Sequence, residues 1–205
     1  MTQTLPKQVT FDEFIAWYPE NSEHRYELHE GVIFQMPKPK GKHSEVAGFI
    51  SGELFLEIRR LQLPYFIPKE CIVKSDSDNS GYEPDVIVLD RKATLLEPRW
   101  ERESIITMSQ SVRLVIEVVS TNWQDDYLTK LRDYEALGIQ EYWIVDYLGL
   151  GGRLHLGYPK HPTFSVHQLV DGEYEVQRFR EVERIESYLF AELNLTAKQV
   201  FRAGE

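Results

Sequence analysis

The run Leu114-Val115-Ile116-Glu117-Val118-Val119 is apolar and mostly β-branched at successive positions. A chain accommodates such a run as an interior strand covered on both faces. Val86-Ile87-Val88-Leu89 and Tyr142-Trp143-Ile144-Val145 have the same character, and segments with helical periodicity lie around them. The order of elements predicts an α/β fold: a central mixed sheet flanked by helices, with a β-hairpin-rich C-terminal third.

Glu117 is out of keeping with its own strand. An unpaired carboxylate buried on two apolar faces costs several kcal/mol, so a cation, a positive side chain or a raised pKa must offset it. Asp85 follows Pro84 at the start of the run Val86 to Leu89. If the two strands are neighbours, both carboxylates can converge on one hard divalent cation. Oxygen ligation with positions left for water and a substrate phosphate suits Mg²⁺, and such an ion can activate water against a phosphodiester. The competing readings are a turn-forming acid for Asp85 and, for Glu117, a buried ion pair with Arg113 or Arg132.

Around these strands, Thr10-Phe11-Asp12-Glu13 has capping-box spacing and predicts a short helix through Trp17, ended by Pro19. Residues 25–29 and 32–34 flank Glu30-Gly31 as a hairpin. Residues 37–42 form a loop with a basic cluster. Val46, Ile50, Leu54, Ile58 and Leu61 recur at helical spacing, which predicts the longest helix over residues 43–61. Strands are expected at 65–73 and 86–89, an irregular exposed segment at 91–110, and a helix over 124–137 stopped by Gly138. The C-terminal third reads as extended segments at 154–158, 164–169 and 174–179, the last two joined across Asp171-Gly172. A short helix begins at Thr196.

At 205 residues the chain is long enough for a substantial core and is expected to form one domain over 1–205. Its net charge of −10 weighs against a protein that coats nucleic acid through diffuse phosphate attraction. A nuclease remains compatible, because only the field at the cleft matters and a divalent ion supplies positive charge there. Cys71 is the only cysteine, so neither a disulfide framework nor a cysteine-rich zinc site is expected. Residues 1–7 lack the layout of a signal peptide, and no apolar stretch approaches the roughly 20 residues that span a bilayer. A cytoplasmic location with no membrane partner is the expectation.

Three further residues are candidates. Lys130 shares a helical face with Asp126, Asp133 and Tyr134, from which it could lean over the strand end near the two acids. The alternative is a solvated Asp126–Lys130 pair, with Tyr134 a core residue. Glu27 alternates with Tyr26 and Leu28 and could face the same cleft or plain solvent. His43, opening the long helix, could polarise a phosphate, bind a metal or cap the helix. His155, His161 and His167 lack ligand spacing. No Walker loop, GxGxxG or GxSxG motif is present, and Ser120 has no histidine placed by motif to activate it.

Arg25-Tyr26-Glu27-Leu28 with Gly31, then His43, Glu83-Pro84-Asp85-Val86, Ile116-Glu117-Val118-Val119-Ser120, Lys130, Tyr134 and the stretch from Gly138 to Asp146 occur in order. Together they resemble the Uma family of putative restriction endonucleases, abundant in cyanobacteria and similar to the PD-(D/E)XK nucleases. The resemblance runs from about residue 10 to the C-terminus and is most specific between Pro84 and Asp146. It implies a restriction-endonuclease-like fold and Mg²⁺- or Mn²⁺-dependent phosphodiester hydrolysis. Asp85 and Glu117 would then be metal ligands, with Glu27 or His43 as an auxiliary group. In the usual motif a lysine follows the second acid by two positions, where this chain has Val119. The resemblance therefore implies either that Lys130 has taken over that task or that the site is impaired.

The expected function is a divalent-metal-dependent DNA endonuclease, with Asp85, Glu117, Lys130, Glu27 and His43 as its site. The alternatives are a non-catalytic nuclease-fold module that binds protein or nucleic acid, and a metal-dependent hydrolase of another phosphate ester. Related folds often dimerise to cut two strands, so a homodimer is an expected assembly, with aromatic C-terminal hairpins as interface material.

Overall fold

In the computed structural model, residues 8–19 and 22–205 are described; residues 1–7, read above for a targeting signal, lie outside them. Thr10 caps helix α1 (Phe11–Trp17): its Oγ1 accepts from Glu13 N while the Glu13 carboxylate accepts from Thr10 N, the reciprocal pattern its spacing predicts. Strands β1 (Arg25–His29) and β2 (Val32–Met36) form the expected hairpin. Its turn places Glu30 and Gly31 at φ 49° and 81°, the left-handed pair that matches strand twist. Helix α2 (Gly41–Arg60) begins two residues before the predicted start and buries Val46, Ile50, Leu54 and Ile58 along one stripe.

The expected single strand over 65–73 is two strands in different sheets. β3 (Tyr65–Phe66) pairs with β6 (Val86–Asp90), whereas β4 (Ile72–Lys74) pairs with β5 (Gly81–Tyr82) and β7 (Ile105–Ile106). Pro68 lies between them and has no N–H to give to a ladder. The segment 91–110 is also more ordered than its charge suggests. It carries α3 (Trp100–Glu103) and the fully buried β7. Glu97 is buried beneath it and accepts from Thr107 and Met108 backbone N–H groups.

The larger sheet has the order β11-β10-β9-β8-β6-β3, with β8 (Val112–Val118), β9 (Glu141–Asp146), β10 (Thr163–Val170) and β11 (Glu173–Phe179). Only β8 and β9 in it run parallel; the other pairs are antiparallel. The smaller sheet has the order β2-β1-β5-β4-β7. The strands are thus shared between two mixed sheets rather than gathered in one. Between β8 and β9 the chain forms a π-helical turn at Asp125–Thr129 and then α4 (Lys130–Leu137), which ends on Gly138 at φ 85°. The predicted extended segment at 154–158 is instead the helical turn α5 (Arg153–Leu156), bracketed by Gly152 and Gly157. Leu156 is buried there while Leu154 is exposed, so only one side chain of the pair has a core to enter. Helix α6 (Ala197–Arg202) follows a capping box at Thr196.

The two faces of β8 enter different cores. Leu114, Ile116 and Val118 pack with the α2 stripe, Trp143 and Val145. Val115 and Val119 pack with Tyr134, Tyr142 and Ile144. At about 1.5–3 kcal/mol for each fully buried large apolar side chain, this two-sided cover fixes the register of β8. Glu117 belongs to the second face. The hairpin aromatics Phe164 and Phe179 point into the first core, so they hold the sheet and do not offer an outer surface. No helix among the described residues is long and apolar enough to cross a membrane.

Candidate active site

β6 and β8 are neighbours, with Val86 opposite Ile116. Asp85 therefore arrives beside Glu117 at the same end of the sheet. The Val118 N–H donates to Asp85 Oδ2 at 2.9 Å, which ties that carboxylate to the strand bearing Glu117. His43 reaches in from the first turn of α2. Its Nε2 lies 2.8 Å from Val118 O and 3.2 Å from Asp85 Oδ2. Both neighbours are acceptors, so Nε2 is the ring nitrogen that carries hydrogen. Burial lowers the His43 pKa, but the Asp85 carboxylate outweighs it and the net direction is upward.

Neither arginine considered as a partner for Glu117 plays that part. The Arg113 guanidinium lies over the Tyr65 ring, and Arg132 bonds Asp133 and Glu30 near the surface. The partner is Lys130, whose Nζ is 3.1 Å from Glu117 Oε1 and 3.1 Å from Glu27 Oε1, with Asp126 Oδ1 at 3.9 Å. Tyr134 OH also donates to Glu117 Oε1, at 3.2 Å. Lys130 and Asp126 are 3% and 7% exposed, which overturns the solvated surface pair. A widened π-helical turn, a feature that recurs at functional sites, immediately precedes this lysine.

Glu27 is fully buried and sits behind Lys130 rather than in the cleft. Its Oε1 also accepts from Glu83 N at 3.0 Å, and its Oε2 lies 2.9 Å from His29 Nε2. The two glutamates share Lys130 yet shift in opposite directions. For Glu27, burial raises the pKa, but Lys130, His29 and the Glu83 N–H together bring it down to about 2. For Glu117, burial dominates over Lys130 and, with Asp85 and Glu27 nearby, pushes it up to about 7. The donor count explains the split, since Glu27 has a donor on both oxygens and Glu117 on one. Burial pulls Lys130 down, but its four surrounding carboxylates hold it well above the ordinary lysine value, so it stays an ammonium.

Val119 occupies the place of the usual lysine and is 1% exposed, packed in the Tyr127, Tyr142 and Ile144 cluster. That position is apolar here, while Lys130 brings an ammonium to the same carboxylate from α4.

These groups line a cleft of about 190 Å³ whose floor carries Asp85, Glu117, Asp126 and Lys130. His43, Arg25, Lys38, Lys40, Tyr147, Leu148 and Leu150 also line it. A larger cavity of about 780 Å³ lies between α1 and α3. Of its charged lining residues, Lys69 and Glu70 pair with each other, Glu103 pairs with Arg99, and Glu83 is shared with the smaller cleft, where the other acids gather. Arg25 and Glu83 border the cleft but were not singled out from sequence beyond their place in the family pattern. The available signal was strand alternation, which puts Arg25 on the face of Glu27.

The donor set fits a hard divalent cation. Asp85 and Glu117 offer oxygens from adjacent strands, and hydrogen bonds among the described residues reach only Oε1 of Glu117. Around the single Lys130 ammonium stand Glu117, Glu27, Asp126 and Asp85, a local negative excess that a cation would offset. No group of three or more histidine, cysteine, aspartate or glutamate side chains forms a ready-made cage among the described residues. An ion held by two carboxylates keeps positions for water and phosphate, as Mg²⁺ commonly does.

The profile of the Uma2 family, described as "Putative restriction endonuclease", matches residues 11–198. A crystal structure of a putative nuclease belonging to DUF820 from Anabaena variabilis ATCC 29413 has a similar fold. The TM-score is 0.71 over 96% of this chain and 99% of that one, at 23% identity. No curated protein matches the chain.

Proposed function

The chain belongs to the Uma2 family of putative restriction endonucleases, and from that premise we propose that it hydrolyses phosphodiester bonds in DNA as a divalent-metal-dependent endonuclease. The observation that carries the reading is the Lys130 ammonium held against Glu117 beside Asp85, on the floor of an open cleft. Asp85 and Glu117 would hold Mg²⁺ or Mn²⁺, and that ion when bound supplies Lewis acidity and a lowered water pKa.

The protein's own residues have separable tasks. Lys130 has three N–H groups, two of which face Glu27 and Glu117. A permanent ammonium cannot act as a base, so its part is to hold an attacking water or a phosphate oxygen and to offset developing charge. Glu27 is a positioning residue that fixes Lys130 from behind. His43 and the Val118 N–H fix the Asp85 carboxylate. Tyr134 orients Glu117. The alternative of a non-catalytic binding module drew on Val119 and the net charge of −10, and the Lys130–Glu117 contact supports the active reading over it. One cleft addresses one strand at a time, so a homodimer would let the protein cut both strands of a duplex together.

The test is cleavage of supercoiled and linear DNA with Mg²⁺ or Mn²⁺. Wild type should nick or cut, chelation should stop it, and Asp85→Ala and Glu117→Gln should be inert while still folded. Cleavage that persists in either variant overturns the assignment. Calorimetric titration with Mn²⁺ showing no binding would favour the module.

A further inference from the structure

Arg25 is a cleft cation left without a hydrogen-bond partner among the described residues. Lys130 is taken up by Glu27 and Glu117, and His43 by Val118 O and Asp85. Arg25 makes no side-chain hydrogen bond among the described residues, and its Nε is buried without a partner. Its nearest carboxylate contacts are long, 3.6 Å from Nη1 to Glu83 and 4.0 Å from Nη2 to Asp85.

Elsewhere in the molecule, arginines close tightly on acids. Arg60 grips Glu57 at 2.7 and 2.8 Å, and Arg99 grips Glu103 at 2.6 and 2.8 Å. A planar fork held open in a cleft, with two carboxylates near enough to keep it there but too far to fill it, matches the bidentate geometry of a phosphate. The same cleft is lined by Lys38 and Lys40, both exposed and without an ion-pair partner among the described residues. The cleft therefore joins buried acids to exposed basic side chains, in a chain whose overall charge is −10.

The geometry points to Arg25 as the seat for a backbone phosphate of the substrate, with Lys38 and Lys40 continuing the track along the strand. This rests on the nuclease reading but concerns binding and not the chemical step. Arg25 takes two non-bridging oxygens of one phosphodiester, and the lysines act as point charges on the adjoining ones.

The experiment is fluorescence anisotropy of a labelled DNA duplex, and in parallel an RNA of the same sequence, in chelator so that nothing is cut. Binding is followed across a salt series for wild type, Arg25→Gln, Arg25→Lys and Lys38→Gln/Lys40→Gln, with thermal melting of each. Arg25→Gln should bind several-fold more weakly, with the slope of log affinity against log salt reduced by about 1. Arg25→Lys should regain the slope but not the full affinity, and the lysine pair should lose slope with no change in melting. A merely structural role for Arg25 would change melting and leave the salt slope alone, and that result overturns the proposal. Should Arg25→Gln not fold, unchanged affinity and slope in the other two variants overturns it as well. If wild type binds neither nucleic acid, the nuclease reading fails on its own account. Titration with pyrophosphate then decides: binding by wild type that is weakened in Arg25→Lys and lost in Arg25→Gln upholds the anion seat, and no binding by wild type, or binding unchanged in the variants, overturns it.

Discussion

Lys130 Nζ lies 3.1 Å from Glu117 Oε1 although thirteen residues of chain separate the two, so a helix supplies to β8 the ammonium that β8 itself lacks at Val119. The same nitrogen holds Glu27 at 3.1 Å, which makes the lysine both a site residue and a structural tie. Lys130→Met should abolish cleavage and destabilise the fold by about 3–5 kcal/mol, because two buried carboxylates lose their counter-charge. Adding Glu27→Gln should recover part of that stability and none of the activity. Urea denaturation and a plasmid-nicking assay on the two single variants and the double variant check both halves.

The acidic excess on the cleft floor should couple metal binding to stability. Mg²⁺ or Mn²⁺ at about 100 times its Kd should add about 2.7 kcal/mol to wild type. Glu117→Gln should be at least as stable as wild type without metal, since burial already pushes that carboxyl up to about 7. It should gain little when the ion is added. Melting temperatures with and without metal check this, and a metal-dependent shift retained in full by Glu117→Gln would contradict it.

His167 offers a pH dependence remote from the cleft. It is 6% exposed, and burial, with Arg178 and His155 nearby, holds its pKa down from 6.5 to about 4. The unfolded chain therefore binds this proton at higher pH than the folded one. The contribution of a neutral His167 is fully present above pH 6.5 and is lost as pH falls toward 4, a swing of about 3 kcal/mol. His167→Phe keeps a ring against Tyr142 and Tyr174, which lie 5.7 and 5.9 Å away between ring centres. The stability of wild type minus that of the variant should decline over this window. A difference independent of pH would contradict the assignment.

The cleft wall after β9 depends on Asp146, which is fully buried and accepts from Leu150 N and Gly151 N at 2.9 and 2.7 Å. A methyl group on Gly151 would come within 2.9 Å of Tyr127 and 3.0 Å of Asp146 Oδ2. Gly151→Ala should cost about 1–3 kcal/mol by overpacking. It should also raise KM more than it lowers kcat, because Leu148 and Leu150 shift while the acids stay in place. Steady-state kinetics alongside thermal melting separates the two effects.

Periodicity and runs of apolar residues were enough to read β6, β8, β9 and the α2 stripe, because those patterns arise from burial on known faces. The same logic singled out Glu117 as a carboxylate in an apolar run and paired it with Asp85; for Lys130, spacing favoured a solvated surface pair and only the family resemblance brought it to the acids. It failed where a third element decides the outcome. Alternation placed Glu27 on the correct side of β1 but could not show that Lys130 stands between it and the cleft. Nothing local in residues 65–73 shows that β3 and β4 pair in different sheets, and Ile105-Ile106 is too short a run to announce a buried strand. Arg25 is conspicuous only through what it does not touch, and that is a property of three dimensions.

The π-helical turn at Asp125–Thr129 has a consequence for how such a site is inherited. A π turn holds one residue more than an α turn, and one residue of an α-helix corresponds to about 100° of rotation. The direction in which Lys130 points is therefore a matter of phase, set by a single added residue upstream as much as by the lysine itself. Losing that residue would leave every side chain of the motif in the sequence and turn the ammonium away from Glu117. Two chains with the same motif can thus differ in activity through a change in length that a comparison of residue identities passes over.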